Sequence, residues 1–205
     1  MAQIYLISPP EIDLAIFCKD LESALATNLV SVFQLRLKNY APSQVLAIAH
    51  QVKKICDNYQ VPLIINDYFD IAIEVNAAGV HVGIDDQQIA VMRKKSAKNF
   101  IIGASCYNSK HLAMQAGEQG ADYISFGAFY PTTTKIPKAQ ATFDTLSWAS
   151  EMLNLPIVAI GGINQNNCRQ LVDNGADFIA VIAAVWQYQD GVVAALKALA
   201  TNIKI

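Results

Sequence analysis

The segment PIVAIGGINQNNCRQLVDNGADFIAVIA, residues 156–183, holds two short β-rich runs separated by a helical pattern. Pro156 opens the first run (PIVAIG), a helical stretch begins near Asn164, and Phe178 opens the second run (FIAVIA). A strand, a helix and a second strand in this order predict a βαβ unit, in which the two strands are parallel.

The same alternation extends over the rest of the chain. Further β-rich runs start at Ile4 (IYLIS), Ser31 (SVFQLRL), Pro62 (PLIIN), Gly79 (GVHVG), Phe100 (FIIGAS) and Tyr123 (YISFG). Further helical patterns begin near Leu14, Ser43, Tyr68, Lys110, Asp144 and Asp190. Eight β-rich runs that alternate with helical patterns predict an α/β fold of the (β/α)₈ TIM-barrel type, near the lower size limit of that fold. A doubly wound open sheet is the alternative architecture.

The composition agrees with a sheet that is covered on both faces. The chain has 205 residues, of which 53% are hydrophobic and 16% are charged, whereas about 25% of residues are charged in an average soluble protein. Strands buried on both faces explain this low share of charge. Since no Pro/Ser/Gly-rich linker interrupts the sequence, we predict that residues 1–205 form a single domain.

Charge and cysteine usage exclude several classes of function. A net charge of −2, with the 15 Lys and Arg residues scattered, argues against a nucleic-acid partner. The first residues lack the basic and apolar regions of a signal peptide, and no uncharged apolar run is long enough to span a membrane. The four cysteines lie far apart and without metal-ligand spacing, at Cys18, Cys56, Cys106 and Cys168. We therefore expect reduced structural thiols in a cytoplasmic protein.

Polar residues concentrate at the ends of the predicted strands, where barrel enzymes carry their sites. In the second run, Gln34, Arg36 and Lys38 alternate with Leu35 and Leu37, so the three polar side chains share one face, which we assign to the barrel lumen. Two neighbouring cations in such a place require counter-charges. Either an anionic ligand or carboxylates from across the barrel would supply them.

Two carboxylates follow neighbouring strands. Asp67 directly follows Asn66 at the end of the third run, and Asp86 follows the fourth run, GVHVG. Mg²⁺ prefers oxygen ligands and commonly takes one or two carboxylates, so Asp67 and Asp86 form a candidate magnesium site. Asp67 also fits the role of a helix N-cap. His81 falls on the lumen side of its strand, where a hydrogen-bonded core histidine is the plainer interpretation.

The remaining strand ends carry groups suited to phosphate. Ser105 ends the fifth run, and Thr132, Thr133 and Thr134 precede Lys135 after the sixth, which provides hydroxyl donors and a cation. Gly161 and Gly162 follow the seventh run, where backbone amides can approach a phosphate, although a tight turn alone also uses glycine. Together these residues predict a pyrophosphate near strands two to five and a monophosphate near strands six to eight.

At these motifs the sequence resembles the thiamine phosphate synthase family, from Tyr5 to Ile182. The matching motifs are Gln34-Leu35-Arg36-Leu37-Lys38, Ile65-Asn66-Asp67, Gly79-Val80-His81-Val82-Gly83 with Asp86, Gly103-Ala104-Ser105, Pro131-Thr132-Thr133-Thr134-Lys135 and Ala159-Ile160-Gly161-Gly162-Ile163. The resemblance implies a barrel enzyme that joins hydroxymethylpyrimidine diphosphate to hydroxyethylthiazole phosphate, releasing pyrophosphate and forming thiamine phosphate with Mg²⁺. It implies two small-molecule substrates, and we expect the protein to be a monomer or a homodimer.

The resemblance also implies roles for individual residues. Arg36, Lys38, Ser105 and Lys135 would act on the diphosphate, and Asp67 and Asp86 would bind Mg²⁺. The substrate-binding set it implies is Gln34, Leu35, Arg36, Leu37, Lys38, Asn66, His81, Ser105, Thr132, Thr133, Thr134, Lys135, Gly162, Ile182 and Ala183. Within this set Gln34 would address the pyrimidine, and Gly162 with Ile182 and Ala183 would hold the thiazole phosphate.

Some positions depart from the family pattern, and two other functions compete. Four positions differ from residues that are often polar in the family, namely Leu37, Ala78, Ile84 and Ala183. Because Ala183 has no hydroxyl, only backbone amides remain for the phosphate after the eighth strand. A thiazole tautomerase would keep the barrel, and a non-catalytic protein would only bind thiamine precursors. Because the Thr-rich loop and both aspartates are present, we favour the synthase over both.

Overall fold

Eight short parallel strands close into a barrel in a computed structural model that describes residues 2–83, 89–132 and 139–203. The strands are β1 (Gln3–Ile7), β2 (Val30–Leu35), β3 (Leu63–Asn66), β4 (Gly79–Gly83), β5 (Ile101–Tyr107), β6 (Tyr123–Phe126), β7 (Ile157–Ile160) and β8 (Phe178–Val181). Each strand pairs with the next along the chain, and β1 pairs with both β2 and β8. The (β/α)₈ prediction is therefore confirmed, and the open sheet is excluded.

Helices connect the strands around the outside of the barrel. They are α1 (Leu14–Leu25), α2 (Pro42–Asn58), α3 (Phe69–Glu74), α4 (Ile89–Lys95), α5 (Lys110–Glu118), α6 (Phe143–Met152), α7 (Cys168–Asp173), α8 (Ala183–Trp186) and α9 (Gly191–Ile203). The sequence pattern had not singled out α4 or the single turn α8. Helix α7 begins four residues after the predicted Asn164, because Asn164 and Asn167 first form a turn in which the Asn164 N–H donates to Asn167 Oδ1 at 2.8 Å.

Local capping signals explain where several helices begin. The Asp13 carboxylate accepts hydrogen bonds from the N–H groups of Ala15 and Ile16, both at 3.1 Å, so α1 starts directly after it. Ser109 and Thr142 accept equivalent bonds at the starts of α5 and α6. Each cap satisfies backbone donors that a helix cannot pair internally.

Strand β2 is shorter than its sequence pattern suggests. The sequence predicts a run through Leu37, whereas the strand ends at Leu35, where its last pairing with β3 joins Leu35 to Ile65. Arg36, Leu37 and Lys38 therefore follow the strand rather than belong to it. The alternation of faces nevertheless continues, since Leu37 is buried among apolar side chains while Arg36 and Lys38 line a cavity.

Alternating side chains divide the apolar residues into two clusters. On β1, Ile4 and Leu6 pack in the large cluster that includes the buried faces of the helices, whereas Tyr5 and Ile7 belong to a small cluster with Tyr123. Val158 and Ala180 complete the small cluster. This inner layer fills the barrel and forms the floor of the cavity at the carboxyl ends of the strands.

Among the described residues, none of the helices combines the length and apolar character needed to cross a bilayer. All four cysteines are free, and burial raises the pKa of the Cys56 and Cys106 thiols to about 12. Both therefore remain protonated and unreactive at neutral pH.

Candidate active site

Within the part of the chain that the structure describes, one large cavity opens at the carboxyl ends of the strands, and all eight strands contribute to its wall. Its volume is about 810 Å³, which falls within the range of small-molecule sites. Tyr5, Gln34, His81 and Tyr123 lie in its floor, and Arg36 lies on its wall. The cavity has the position that barrel enzymes use for chemistry.

Most of the sequence-predicted site residues line this cavity. Those that do are Gln34, Arg36, Lys38, Asn66, Asp67, His81, Ser105, Thr132, Gly162, Ile182 and Ala183. Leu35 and Leu37 do not line it, because both point to the other face of the chain and pack in the large apolar cluster. Asp86, Thr133, Thr134 and Lys135 lie outside the described residues.

Positive charge dominates one side of the cavity. Lys38 Nζ lies 3.2 Å from Asp67 Oδ2, and the Lys38 side chain remains 45% exposed. Burial lowers the pKa of Arg36, an effect that the nearby Asp67 carboxylate opposes. Since a guanidinium does not lose its proton in proteins, the stability of Arg36 depends on nearby negative charge. The described wall thus contains one of the carboxylates anticipated from sequence, with two cations around it.

Asp67 has an uncommon backbone conformation that directs its side chain. Its φ is 66°, in the left-handed region, and its N–H donates to the His81 carbonyl at 2.9 Å. The N-cap of α3 is Tyr68, which makes no side-chain capping bond. Asp67 is therefore not the helix cap that one interpretation of the sequence suggested, and its carboxylate faces Lys38 instead.

The described residues offer a partial ligand set for a divalent cation. They contain no cluster of three or more acidic, histidine or cysteine side chains that could hold a metal. Asp67 supplies a carboxylate on the cavity wall, and Asn66 supplies an amide oxygen beside it. One or two carboxylates completed by substrate phosphates and water are a usual environment for Mg²⁺, so the donor type fits this ion.

A chain of buried hydrogen bonds crosses the floor of the cavity. Gln34 Nε2 donates to the Tyr5 hydroxyl at 3.0 Å, and the Tyr5 and Tyr123 hydroxyls lie 2.7 Å apart. The Tyr123 hydroxyl lies 2.9 Å from His81 Nδ1, and His81 Nε2 lies 2.8 Å from Ser105 Oγ. Gln34 is 2% exposed and His81 8%, so this polar chain is inside the barrel rather than on its surface.

Sequence reasoning missed Tyr5 and Tyr123. A signal for Tyr123 was present in Gly103, because a Cβ at this position would lie 2.0 Å from Tyr123 Cζ. Glycine within a strand often marks such a close approach. Burial raises the pKa of both phenols, and for Tyr123 the neighbouring Tyr5 adds to the effect. Both therefore remain O–H donors at neutral pH.

The glycine pair after β7 is required by the loop that follows β6. A Cβ on Gly161 would lie 2.4 Å from Ala128 Cβ, and one on Gly162 would lie 2.4 Å from the Pro131 carbonyl oxygen. The Tyr130 N–H donates to the Gly161 carbonyl at 3.1 Å, which joins the two segments. The glycines thus form a tight turn against the loop, and Gly162 also reaches the cavity beside Ile182 and Ala183.

Comparison with known proteins identifies relatives over nearly the whole chain. Residues 4–185 match the family model described as Thiamine monophosphate synthase. The chain is 41% identical over 194 residues to the thiamine-phosphate synthase of Rhodospirillum centenum, covering 95% of this chain and 94% of the relative. It is 44% identical over 204 residues to that of Hyphomonas neptunium, covering 96% and 91%.

Solved structures have the same architecture. Thiamine phosphate pyrophosphorylase from Pyrococcus furiosus superposes with a TM-score of 0.84 at 30% identity, covering 98% of this chain and 95% of that structure. A 3-hexulose-6-phosphate synthase superposes with a TM-score of 0.71 at 14% identity, covering 98% and 100%. The second likeness is one of fold alone.

Proposed function

Because the chain belongs to the thiamine monophosphate synthase family, we propose that it transfers the pyrimidine-methyl group of 4-amino-2-methyl-5-hydroxymethylpyrimidine diphosphate to the ring nitrogen of hydroxyethylthiazole phosphate. The family enzymes couple pyrimidine and thiazole moieties to make thiamine phosphate. In the proposed reaction the bond from the methylene carbon to the diphosphate oxygen breaks and a bond from that carbon to the thiazole nitrogen forms. The products are thiamine phosphate and pyrophosphate.

The cation pair at the cavity wall is the observation that best supports this proposal. Arg36 and Lys38 line the same cavity as Ser105 and Asn66, and these side chains together offer charged and neutral donors. A departing pyrophosphate gains negative charge, and fixed donors in a partly dehydrated site stabilise such charge strongly. Arg36, whose burial calls for a nearby anion, is well suited to this role.

We propose a dissociative order of events. The electron-rich aminopyrimidine ring stabilises the methylene cation that remains when pyrophosphate leaves, and the thiazole nitrogen then captures it. This order needs no protein nucleophile, so the protein contributes charge stabilisation and alignment of the two rings. Gln34, Arg36, Lys38 and Ser105 line the same cavity, and we propose that Gln34 holds the pyrimidine while the other three bind the diphosphate.

We also propose Mg²⁺ as the cofactor, with Asp67 and Asp86 as its protein ligands. When bound, the ion would neutralise negative charge on the diphosphate. Asp67 would then share its carboxylate between the ion and Lys38, which already lies 3.2 Å from it. The four free thiols fit a reducing compartment, and we propose that the reaction takes place in the cytoplasm.

We place the thiazole phosphate at the opposite side of the cavity mouth. Gly162, Ile182 and Ala183 line the cavity, and their backbone amides would bind the phosphate in the region where barrels frequently bind it. Thr132, on the wall beside them, would contact the thiazole, and Thr133 and Thr134 are proposed to extend this contact. Lys135 would assist the diphosphate.

The decisive experiment mixes the purified protein with both substrates and Mg²⁺ and measures pyrophosphate and thiamine phosphate. We expect the two products in equal amounts, and none when either substrate is omitted. A thiazole tautomerase would convert the thiazole without releasing pyrophosphate, and a binding protein would bind both compounds unchanged. Either result would overturn the proposal.

A further inference from the structure

We propose that the buried chain from Gln34 to Ser105 has one direction, with every proton pointing from Gln34 towards Ser105. The two ends of this hydrogen-bond chain, Gln34 and Ser105, face the cavity. The residues between them, Tyr5, Tyr123 and His81, are positioning residues for these two ends. The assignment of what those ends bind rests on the proposed function. The direction itself is a property of the protein without substrate.

The first two steps follow from the donors at Tyr5. Gln34 Nε2 is a donor only, so the Tyr5 oxygen accepts its bond at 3.0 Å. Among the described residues, the other hydrogen-bond partner of the Tyr5 hydroxyl is Tyr123, at 2.7 Å. If Tyr123 donated to Tyr5, the proton of Tyr5 would be buried without an acceptor, which is costly. Tyr5 therefore donates to Tyr123.

The remaining steps follow in turn. Since Tyr123 accepts from Tyr5, its own proton is available for His81 Nδ1 at 2.9 Å. A neutral imidazole that accepts at Nδ1 carries its proton on Nε2, and this N–H then donates to Ser105 Oγ at 2.8 Å. The Ser105 proton is thereby directed away from His81 and towards the cavity, which Ser105 lines.

Packing holds the residues of this hydrogen-bond chain in place. Tyr5, Gln34, His81 and Tyr123 are all buried, and among the described residues no buried side-chain nitrogen or oxygen lacks a hydrogen-bond partner. The rings of His81 and Tyr123 stack with their centroids 5.5 Å apart and an interplanar angle of 25°. Buried and mutually polarised hydrogen bonds of this kind fix orientation well.

The direction of the hydrogen-bond chain decides whether Ser105 and Gln34 present donors or acceptors to the cavity. Ser105 presents an O–H donor to the cavity, which suits a phosphate oxygen. Gln34 uses its amide nitrogen on Tyr5, so its carbonyl oxygen remains as an acceptor, which suits the amino group of an aminopyrimidine. The reverse direction would require the Gln34 carbonyl at Tyr5 and would present an amide donor and a hydroxyl lone pair instead. Those groups would be mismatched to both parts of this substrate.

The tautomer of His81 tests the direction without any substrate. In ¹⁵N-labelled protein at about pH 8, where a free histidine side chain is neutral, we expect Nε2 of His81 to be protonated and Nδ1 to be unprotonated. An Nδ1–H tautomer would establish the reverse direction. A doubly protonated ring would exclude acceptance at Nδ1. Either outcome would overturn the proposal.

Two hydroxyl deletions form a matched pair for this measurement. Tyr123→Phe removes the donor to Nδ1, so the Nδ1 resonance should move downfield, as it does when a hydrogen bond to that nitrogen is lost. Tyr40→Phe removes a hydroxyl that bonds to Ile12 and should leave the His81 resonances unchanged. An Nδ1 resonance unaffected by Tyr123→Phe would contradict the chain.

A double-mutant cycle tests the positioning role. We expect Tyr123→Phe to lower kcat about tenfold, near the upper end for one neutral hydrogen bond, with little change in KM for the thiazole phosphate. In a Ser105→Ala background the same change should have a smaller effect, because the part of its action that passes through Ser105 is already lost. Additive losses would refute this role, since they would mean that Tyr123 acts independently of Ser105.

The tautomer of His81 and the formation of thiamine phosphate test the hydrogen-bond direction and the proposed function separately. If the wild-type protein has the expected tautomer but makes no thiamine phosphate, the directional chain stands and the proposed function fails. If it makes thiamine phosphate with the Nδ1–H tautomer, the proposed function stands and the directional chain fails.

Discussion

At the scale of single residues, Asp67 combines a backbone and a charge requirement. Its left-handed φ of 66° favours Asp, Asn and Gly over other residues, and its carboxylate pairs with Lys38. A substitution that tolerates the left-handed conformation but carries no charge therefore isolates the contribution of the carboxylate charge. Asparagine does this with almost no change in shape.

We expect Asp67→Asn to lower turnover by about 10²- to 10³-fold, a loss comparable with removing one donor to a developing oxyanion. The free energy of unfolding should change little, because asparagine tolerates the left-handed conformation. Asp70→Asn, an equivalent change at an exposed position of α3, is the control and should leave turnover unchanged. Steady-state kinetics and thermal unfolding measure both quantities, and near-normal turnover in Asp67→Asn would refute a role for this carboxylate.

Gly103 is a second residue that decides local structure, because it has no side chain. We expect Gly103→Ala to lower the free energy of unfolding by about 1–3 kcal/mol, the cost of overpacking a core, because the new methyl group would collide with the Tyr123 ring. Gly117→Ala is the matched control. Its Cβ would meet only Leu155 Cδ1, at 3.2 Å, and alanine is favoured over glycine inside a helix.

Urea unfolding of both alanine variants measures this difference. If Gly103→Ala were as stable as Gly117→Ala, the close packing of Tyr123 against β5 would be refuted.

At the scale of elements, Arg93 fastens the short helix α4 to the strands beside it. Arg93 Nη1 donates to the Phe100 carbonyl at 2.7 Å, and Nε and Nη2 donate to the Gly120 carbonyl at 3.1 and 3.0 Å. Arg93 also pairs with Asp122, whose carboxylate accepts from the Ile102 N–H at 2.7 Å. One guanidinium thus holds the helix and the connections on both sides of β5 together.

Arg93→Lys should lower the free energy of unfolding by about 1–3 kcal/mol, since an ammonium group cannot reproduce the planar fork of donors. Asp57→Asn, which breaks the surface ion pair between Lys53 and Asp57 within α2, should change it by less than about 1 kcal/mol. Chemical denaturation of the two variants compares the contribution of the Arg93 hydrogen bonds with that of a surface ion pair. Equal effects would show that the fork geometry at Arg93 contributes nothing.

At the scale of the whole molecule, charge is concentrated where the barrel opens. The chain is only 16% charged, yet Arg36, Lys38 and Asp67 meet at one side of the same cavity. An anion that enters this region should therefore stabilise the folded protein as a whole, because binding to the native state alone adds to its stability.

Inorganic pyrophosphate, with Mg²⁺ held constant, should raise the free energy of unfolding by about 2.7 kcal/mol at a hundred times its dissociation constant. The gain should shrink as salt is added, because salt screens partly exposed charges. Lys38→Met should weaken the gain, whereas Lys197→Met, on the exposed side of α9, should not. Equal stabilisation of the two variants by pyrophosphate would place its site elsewhere.

The sequence by itself determined the barrel and much of the candidate site. Alternation of β-rich runs and helical patterns has few solutions in a chain of this length, and polar residues at strand ends must meet at one rim because all the strands are parallel. For this reason Arg36, Asp67 and Gly162 could be predicted to share a cavity before their distances were known. The helix α7 and the end of β2 were placed less well, because turn hydrogen bonds and strand pairing decide such boundaries.

Only the tertiary structure decided which distant residues touch. Tyr5 and Tyr123 are 118 positions apart in sequence, and their 2.7 Å contact exists only because barrel closure brings β1 and β6 to face each other across the lumen. No periodicity along the chain encodes such a contact. The same closure joined Gln34 to Ser105 through Tyr5, Tyr123 and His81, because a side chain's partners depend on strands that are neighbours in space rather than in sequence.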